Sequence, residues 1–137
     1  EISFPKGNYT LIKPNSFDKK DILCGENALQ KSGKFSFIQG AICRNNKVIS
    51  LEGKEGTQQM IKKVKKLTKF PNGVLIKFPK KRQDLRVDLP TIGLETLKQC
   101  KSAGLKGIVL KHKLNIFLNK SESVKYANKN KMFILIK

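Results

Sequence analysis

At 137 residues and 15.5 kDa the chain has the length of one domain. Its 39% hydrophobic content excludes disorder along the whole chain, because disordered chains lack the apolar residues to fill a core. Lys and Arg number 29 against 10 Asp and Glu, a net charge of +19. Such a surface favours anions: nucleic acid, phosphorylated metabolites or an acidic membrane face. No apolar run approaches the roughly 18 residues of a spanning helix. The opening Glu1-Ile2-Ser3-Phe4-Pro5 has no basic stretch followed by an apolar one, so no secretory leader is expected there. It also lacks Met, as in a fragment or a processed chain. Cys24, Cys43 and Cys100 are far apart, odd in number and without CxxC spacing. They are expected to be packed thiols in a reducing cytosol rather than a disulfide framework or a zinc site.

In chain order, residues 1–15 form an extended lead-in, with Pro5 and Pro14 blocking helix. Phe17 to Lys31 is a predicted helix with Ile22, Leu23 and Leu29 on its apolar face, Ser16 or Asp18 as cap, and Ser32-Gly33 ending it. Phe35 to Arg44, the turn Asn45-Asn46 and Lys47 to Leu51 make a hairpin. Thr57 to Leu67 is helical by the spacing of Met60, Ile61, Val64 and Leu67. Gly73 to Phe78 is a short buried strand, and residues 79–93, aperiodic and with two prolines, form an ordered loop that carries function. Gly93 to Ala103 is a helix closed by Gly104. Gly107 to Leu110 and Leu114 to Leu118 are strands, Ser121 to Asn128 is a helix with Ser121 as cap, and Met132 to Ile136 is a closing strand. The alternation predicts a single α/β domain, a mixed sheet flanked by short helices.

Two segments carry the chemistry. In LEGKEGT, Glu52 and Glu55 flank a glycine-containing turn at a strand-to-helix junction. Free backbone N–H groups there suit a phosphate, and Gly56 permits close approach. The alternative is plain capping by Glu55 and Thr57. In QDLRVDLP, Asp84 and Asp88 stand beside Gln83 and Arg86, after Lys77, Lys80, Lys81 and Arg82. Carboxylates for metal or water, with cations for phosphoryl oxygens, fit chemistry on a phosphate ester. A salt-bridged structural loop is the alternative. His112, the only histidine, reads as a surface residue. Lys62, Lys63, Lys65, Lys66 and Lys69 read as a solvated helix face, with contact to anionic lipid or nucleic acid as the alternative. There is no Trp, and Tyr9 and Tyr126 lie in no basic-aromatic motif, which argues against single-strand nucleic-acid binding.

The stretch GVLIKFPKKRQDLRVDLPTIG resembles the signature of the LpxI family of UDP-2,3-diacylglucosamine diphosphatases. Lys77, Pro79, Lys80, Gln83, Asp84, Arg86, Val87, Asp88, Leu89, Pro90, Thr91, Ile92 and Gly93 match it. Gln39 with Ala41, LEGKEGTQQM, AGLKGIVL and the closing MFILI extend the likeness over most of the chain. Ile38 where the family has Gly, Gln58 where it has Asp, and Lys81 where it has Pro depart from it. The resemblance implies a C-terminal domain whose N-terminal partner domain is absent from this chain, with substrate held between the two. It implies hydrolysis of UDP-2,3-diacylglucosamine to UMP and 2,3-diacylglucosamine 1-phosphate, with a divalent cation, Mg²⁺ or Mn²⁺. By motif, Asp88 is the essential carboxylate, binding metal or placing water. Asp84 and Glu55 are further metal candidates. Lys77, Lys80, Gln83, Arg86, Thr91, Gly56 and Thr57 are the expected substrate contacts. A cytoplasmic location at the inner membrane, on an anionic lipid surface, and a homo-oligomer are also expected. The alternatives are a basic nucleic-acid-binding module and an inactive scaffold of the same fold.

Overall fold

The computed structural model describes residues 4–33, 38–64, 69–79 and 90–137. A six-stranded sheet is built from β1 (Gly7–Asn8), β2 (Gly40–Arg44), β3 (Lys47–Leu51), β4 (Val74–Lys77), β6 (Gly107–Leu110) and β8 (Phe133–Ile136), in the order β1-β8-β6-β4-β2-β3. β4, β6 and β8 run parallel, while β1, β2 and β3 each pair antiparallel with a neighbour. β5 (Thr91–Ile92) and β7 (Ile116–Phe117) form a separate parallel pair. The helices are α1 (Ser16–Lys31), α2 (Thr57–Lys62), α3 (Leu94–Ser102) and α4 (Lys120–Lys129). This is the mixed α/β sheet expected from the sequence.

Period-two alternation divides the core. Ile42, Leu75, Ile108 and Ile134 face one way, packed with Met60 and Ile61 of α2, Leu97 and Cys100 of α3 and Ala127 of α4. Ala41, Cys43, Val74, Ile76, Val109 and Phe133 face the other, under Ile22 and Leu29 of α1. The central strands are covered on both faces, which is why their sequences are continuous apolar runs rather than alternating ones. Gly25 lets α1 approach closely: a Cβ there would stand 2.4 Å from Cδ1 of Ile76.

Several boundaries differ from the sequence expectation. The cap of α1 is Asn15, in a reciprocal capping box with Asp18: each side chain accepts the other's backbone N–H at 2.9 Å. The first strand of the hairpin begins at Gly40, and Ile38 and Gln39 precede it outside any strand; residues 34–37 lie outside the described set. α2 ends at Lys62, where Val64 N donates to Ile61 O in a tighter turn. Thr91-Ile92, expected in a loop, is a strand, because it pairs with Ile116-Phe117. α4 starts at Lys120, after Asn119 in the left-handed conformation, and Ser121 does not cap it. Gly104, at φ +78°, follows Ala103 at the end of α3 as expected. Cys43 and Cys100 are buried thiols, and burial pushes Cys100 up to about 12. Cys24 is half-buried on α1, and burial together with the neighbouring Cys24 raises the Cys43 thiol above its ordinary value.

Asn45 and Asn46 both have positive φ, 54° and 61°, as a two-residue hairpin turn of this hand requires. The buried Asp21 carboxylate accepts the Asn46 N–H at 2.7 Å and holds that turn against α1. Burial raises the Asp21 carboxyl above the usual range, the Asn46 bond opposes the rise, and the Asp18 charge adds to it. The folded state therefore holds this proton to higher pH than the unfolded chain does. Stability from this group is greatest below the unfolded value of about 4 and is lost as pH rises through the folded value. Asp21→Asn keeps the oxygen acceptor and carries no charge. It is expected to be more stable than the parent at pH 7 and equal to it near pH 3, measured by urea denaturation. A pH-independent difference would show that the charge is not the cause.

Candidate functional site

In open α/β sheets, ligands bind beyond the carboxyl ends of the parallel strands. In this chain that edge carries a polar cluster. Lys77 is the last residue of β4 and pairs in register with Gly40, the first of β2. Its side chain follows Leu75 onto the α2 face, into the core. An ammonium there must find a buried acceptor, and Glu52, just past β3, supplies it. Lys77 Nζ lies 2.6 Å from Glu52 Oε1 and 2.7 Å from Thr57 Oγ1, while the Thr57 hydroxyl donates to Glu52 Oε1 at 3.1 Å. The side chains of Lys77 and Glu52 are only 3% and 8% exposed. Burial lowers the Lys77 ammonium below its ordinary value, and the hydrogen bond and charge of Glu52 oppose that shift.

The backbone around this pair is fixed. A Cβ on Gly40 would stand 2.8 Å from Glu52 Oε1 and 3.1 Å from Met60 Cε, so a side chain there would displace the carboxylate. Phe78 N donates to Gln39 O at 2.8 Å, and Asn115 Nδ2 donates to Lys77 O at 3.0 Å. The other amide atom of Asn115, Oδ1, is buried with no hydrogen-bond partner among the described residues. The chain leaves this edge at Pro79 and re-enters at Pro90, whose carbonyl accepts Ile116 N at 2.9 Å. The described residues on either side of positions 80–89, Phe78 and Pro90, are thus both held by backbone hydrogen bonds. Lys80, Gln83, Asp84, Arg86 and Asp88 themselves lie outside the described residues.

Of the other candidates, Thr91 is exposed on β5. Gly56 is the N-cap of α2 at φ +94°, a backbone conformation that favours glycine, and among the described residues no heavy atom lies within 4 Å of a Cβ placed there. Neither Glu55 nor Thr57 caps that helix by its side chain, so the plain capping alternative fails. Thr57 turns to Glu52, and the Glu55 carboxylate is exposed, 3.7 Å from Lys63 Nζ. His112 is half-buried at the same sheet edge, its Nδ1 2.8 Å from Phe4 O. The carbonyl can only accept, so Nδ1 carries the proton.

The described residues do not by themselves make the expected cation site. Among them no three His, Cys, Asp or Glu side chains converge on one point. Glu55 is a single surface carboxylate, and Glu52 Oε1 is held by Lys77. Also among the described residues, no helix is long and apolar enough to cross a membrane.

Sequence reasoning did not find Gly40 or Asn115. Gly40 needed the knowledge that β2 and β3 bring it against Glu52. Asn115 lies between β6 and β7, 38 positions after the Lys77 carbonyl that it holds. The burial of Lys77 had a signal: in a strand read as GVLIKF, Leu75 and Lys77 share one face.

Residues 5–135 match the family model described as the LpxI C-terminal domain. The chain is 34% identical over 116 residues to the UDP-2,3-diacylglucosamine pyrophosphatase LpxI of Caulobacter vibrioides. That alignment covers 80% of this chain and 41% of the relative, so the chain spans well under half the relative's length. With a family model matched over residues 5–135, the chain belongs to the LpxI family.

Proposed function

We propose that this chain is part of an enzyme that hydrolyses the pyrophosphate of UDP-2,3-diacylglucosamine, releasing UMP and 2,3-diacylglucosamine 1-phosphate at the cytoplasmic face of the membrane. The observation that carries the reading is the family match together with the unbroken RVDLPTIG block of the sequence. Water attacks one phosphorus, and the bond from that phosphorus to the bridging oxygen breaks. Asp88 orients the water and receives its proton. Lys80 and Arg86 meet the charge that gathers on the departing phosphate, for which the planar fork of Arg is suited. Gln83, Thr91 and the open backbone at Gly56 supply further contacts.

The test is UMP release from UDP-2,3-diacylglucosamine with Mg²⁺ or Mn²⁺, by the native-length protein and by residues 1–137 side by side. Release by the long form, stopped by a chelator and restored by excess cation, is the expected result. Release by the short form too would put the whole apparatus in this domain. No release from either, with both folded, would overturn the reading.

A further inference from the structure

Resting on that diphosphatase reading, we infer that Lys77 and Thr57 serve the reaction as positioning residues, and that neither is a ligand of the diphosphate. By type and place both look like phosphate ligands, a lysine before the RVDLPTIG block and a threonine after a glycine turn. Among the described residues their contacts point inward: two of the three Lys77 N–H donors and the Thr57 proton are engaged there. The Lys77 ammonium is inside the protein, bound to Glu52 at 2.6 Å and Thr57 at 2.7 Å. The Thr57 hydroxyl uses its proton on Glu52 and a lone pair on Lys77. A phosphate reaching for Lys77 would have to separate it from a buried carboxylate and leave that charge without a partner, which is costly.

What the triad does hold is backbone. Lys77 ends β4 one residue before Phe78-Pro79, where the chain departs toward Asp88. Its own carbonyl is gripped by Asn115, and Phe78 N by Gln39. Glu52 opens the turn that ends at Gly56, and Thr57 starts α2. One buried carboxylate thus ties the end of β4, which leads in sequence into residues 80–89, to the turn that carries Glu55 and Gly56. Gly40, with no side chain to intrude, lets the carboxylate sit between them.

Glu52→Gln separates the two roles. If Lys77 were a diphosphate ligand, removing a nearby negative charge would free it and lower KM. If the triad positions, KM holds and kcat falls. For the native-length enzyme the expected result is a drop in kcat of about tenfold or more with KM within about twofold, in Glu52→Gln, Thr57→Val and Lys77→Met alike. Lys77→Met strands Glu52 and will lower the melting temperature. The double variant Glu52→Gln/Lys77→Met removes both charges and is expected to recover the melting temperature but not kcat. Recovery of kcat along with melting temperature would reduce the triad to a fold element and overturn the inference. A rise in KM at unchanged kcat in Lys77→Met, or a fall in KM in Glu52→Gln, would make Lys77 a ligand and overturn it too. Amide hydrogen exchange of residues 1–137 reads the positioning without substrate: Glu52→Gln is expected to speed exchange over residues 78–93, and unchanged protection there would refute it. A parent enzyme that releases no UMP sinks the diphosphatase reading alone, and exchange still decides whether the triad holds the segment.

Discussion

Asp88→Ala is expected to cut UMP release by the native-length enzyme at least about a hundredfold, with KM little changed, because a positioned acid–base group contributes roughly 10²–10⁴ in rate. The split follows from what the residue would do. An anionic side chain beside a diphosphate does not attract the substrate, so its loss removes nothing from ground-state binding. What is lost is the orientation of water and the place for its proton, both needed only as the new bond forms. Asp88→Asn sharpens the test: the amide can still hold a water but cannot take its proton, so it should be as slow as Ala if proton transfer matters and partly active if orientation alone does. Asp84→Ala, four residues away in the same segment, is the internal comparison. Full activity in Asp88→Ala would remove the residue from the mechanism and move attention to Asp84 and Glu55.

The sequence made the layers of this fold legible because the parallel strands are short, apolar and bounded by turn residues. GVLIKF, GIVL and MFILI need burial on both faces, and all three became the centre of the sheet. Helix ends were less legible. Ser121 and Asn119 are equally good capping residues by type, yet α4 begins at Lys120, after a left-handed Asn119 whose side chain makes no cap bond. Pairing over long sequence separations was not legible at all, so Thr91-Ile92 looked like loop until Ile116-Phe117 was seen beside it. The same limit governs the site. Residue type and motif brought Lys77, Glu52 and Thr57 into view one by one, but their closure into a buried triad depends on β2, β3 and β4 meeting at one edge. A lysine next to a phosphate-chemistry motif invites the role of ligand, and only its burial argues for another.

Phe133→Ala is expected to cost about 3–5 kcal/mol, the range for truncating a fully buried aromatic. Phe133 opens β8, is 0% exposed, and lies under α1 among Ala41, Cys43, Ile76 and Val109. It faces Gly107 across the parallel pair, and a Cβ on Gly107 would stand 2.6 Å from three ring carbons. The ring therefore lies flat on the glycine backbone, filling the volume that the missing side chain leaves. At this chain length the loss corresponds to a fall in melting temperature of roughly 10–25 °C. It is also a large share of a typical stability of about 5–15 kcal/mol. The cavity explanation makes a second, stricter demand. Gly107→Ala alone should destabilise, because the methyl meets the ring. In the double variant Gly107→Ala/Phe133→Ala the methyl enters vacated space, so the double should cost less than the two singles added. Simple additivity in that cycle would mean that ring and glycine do not share a volume, and that Gly107 is required by its own backbone instead.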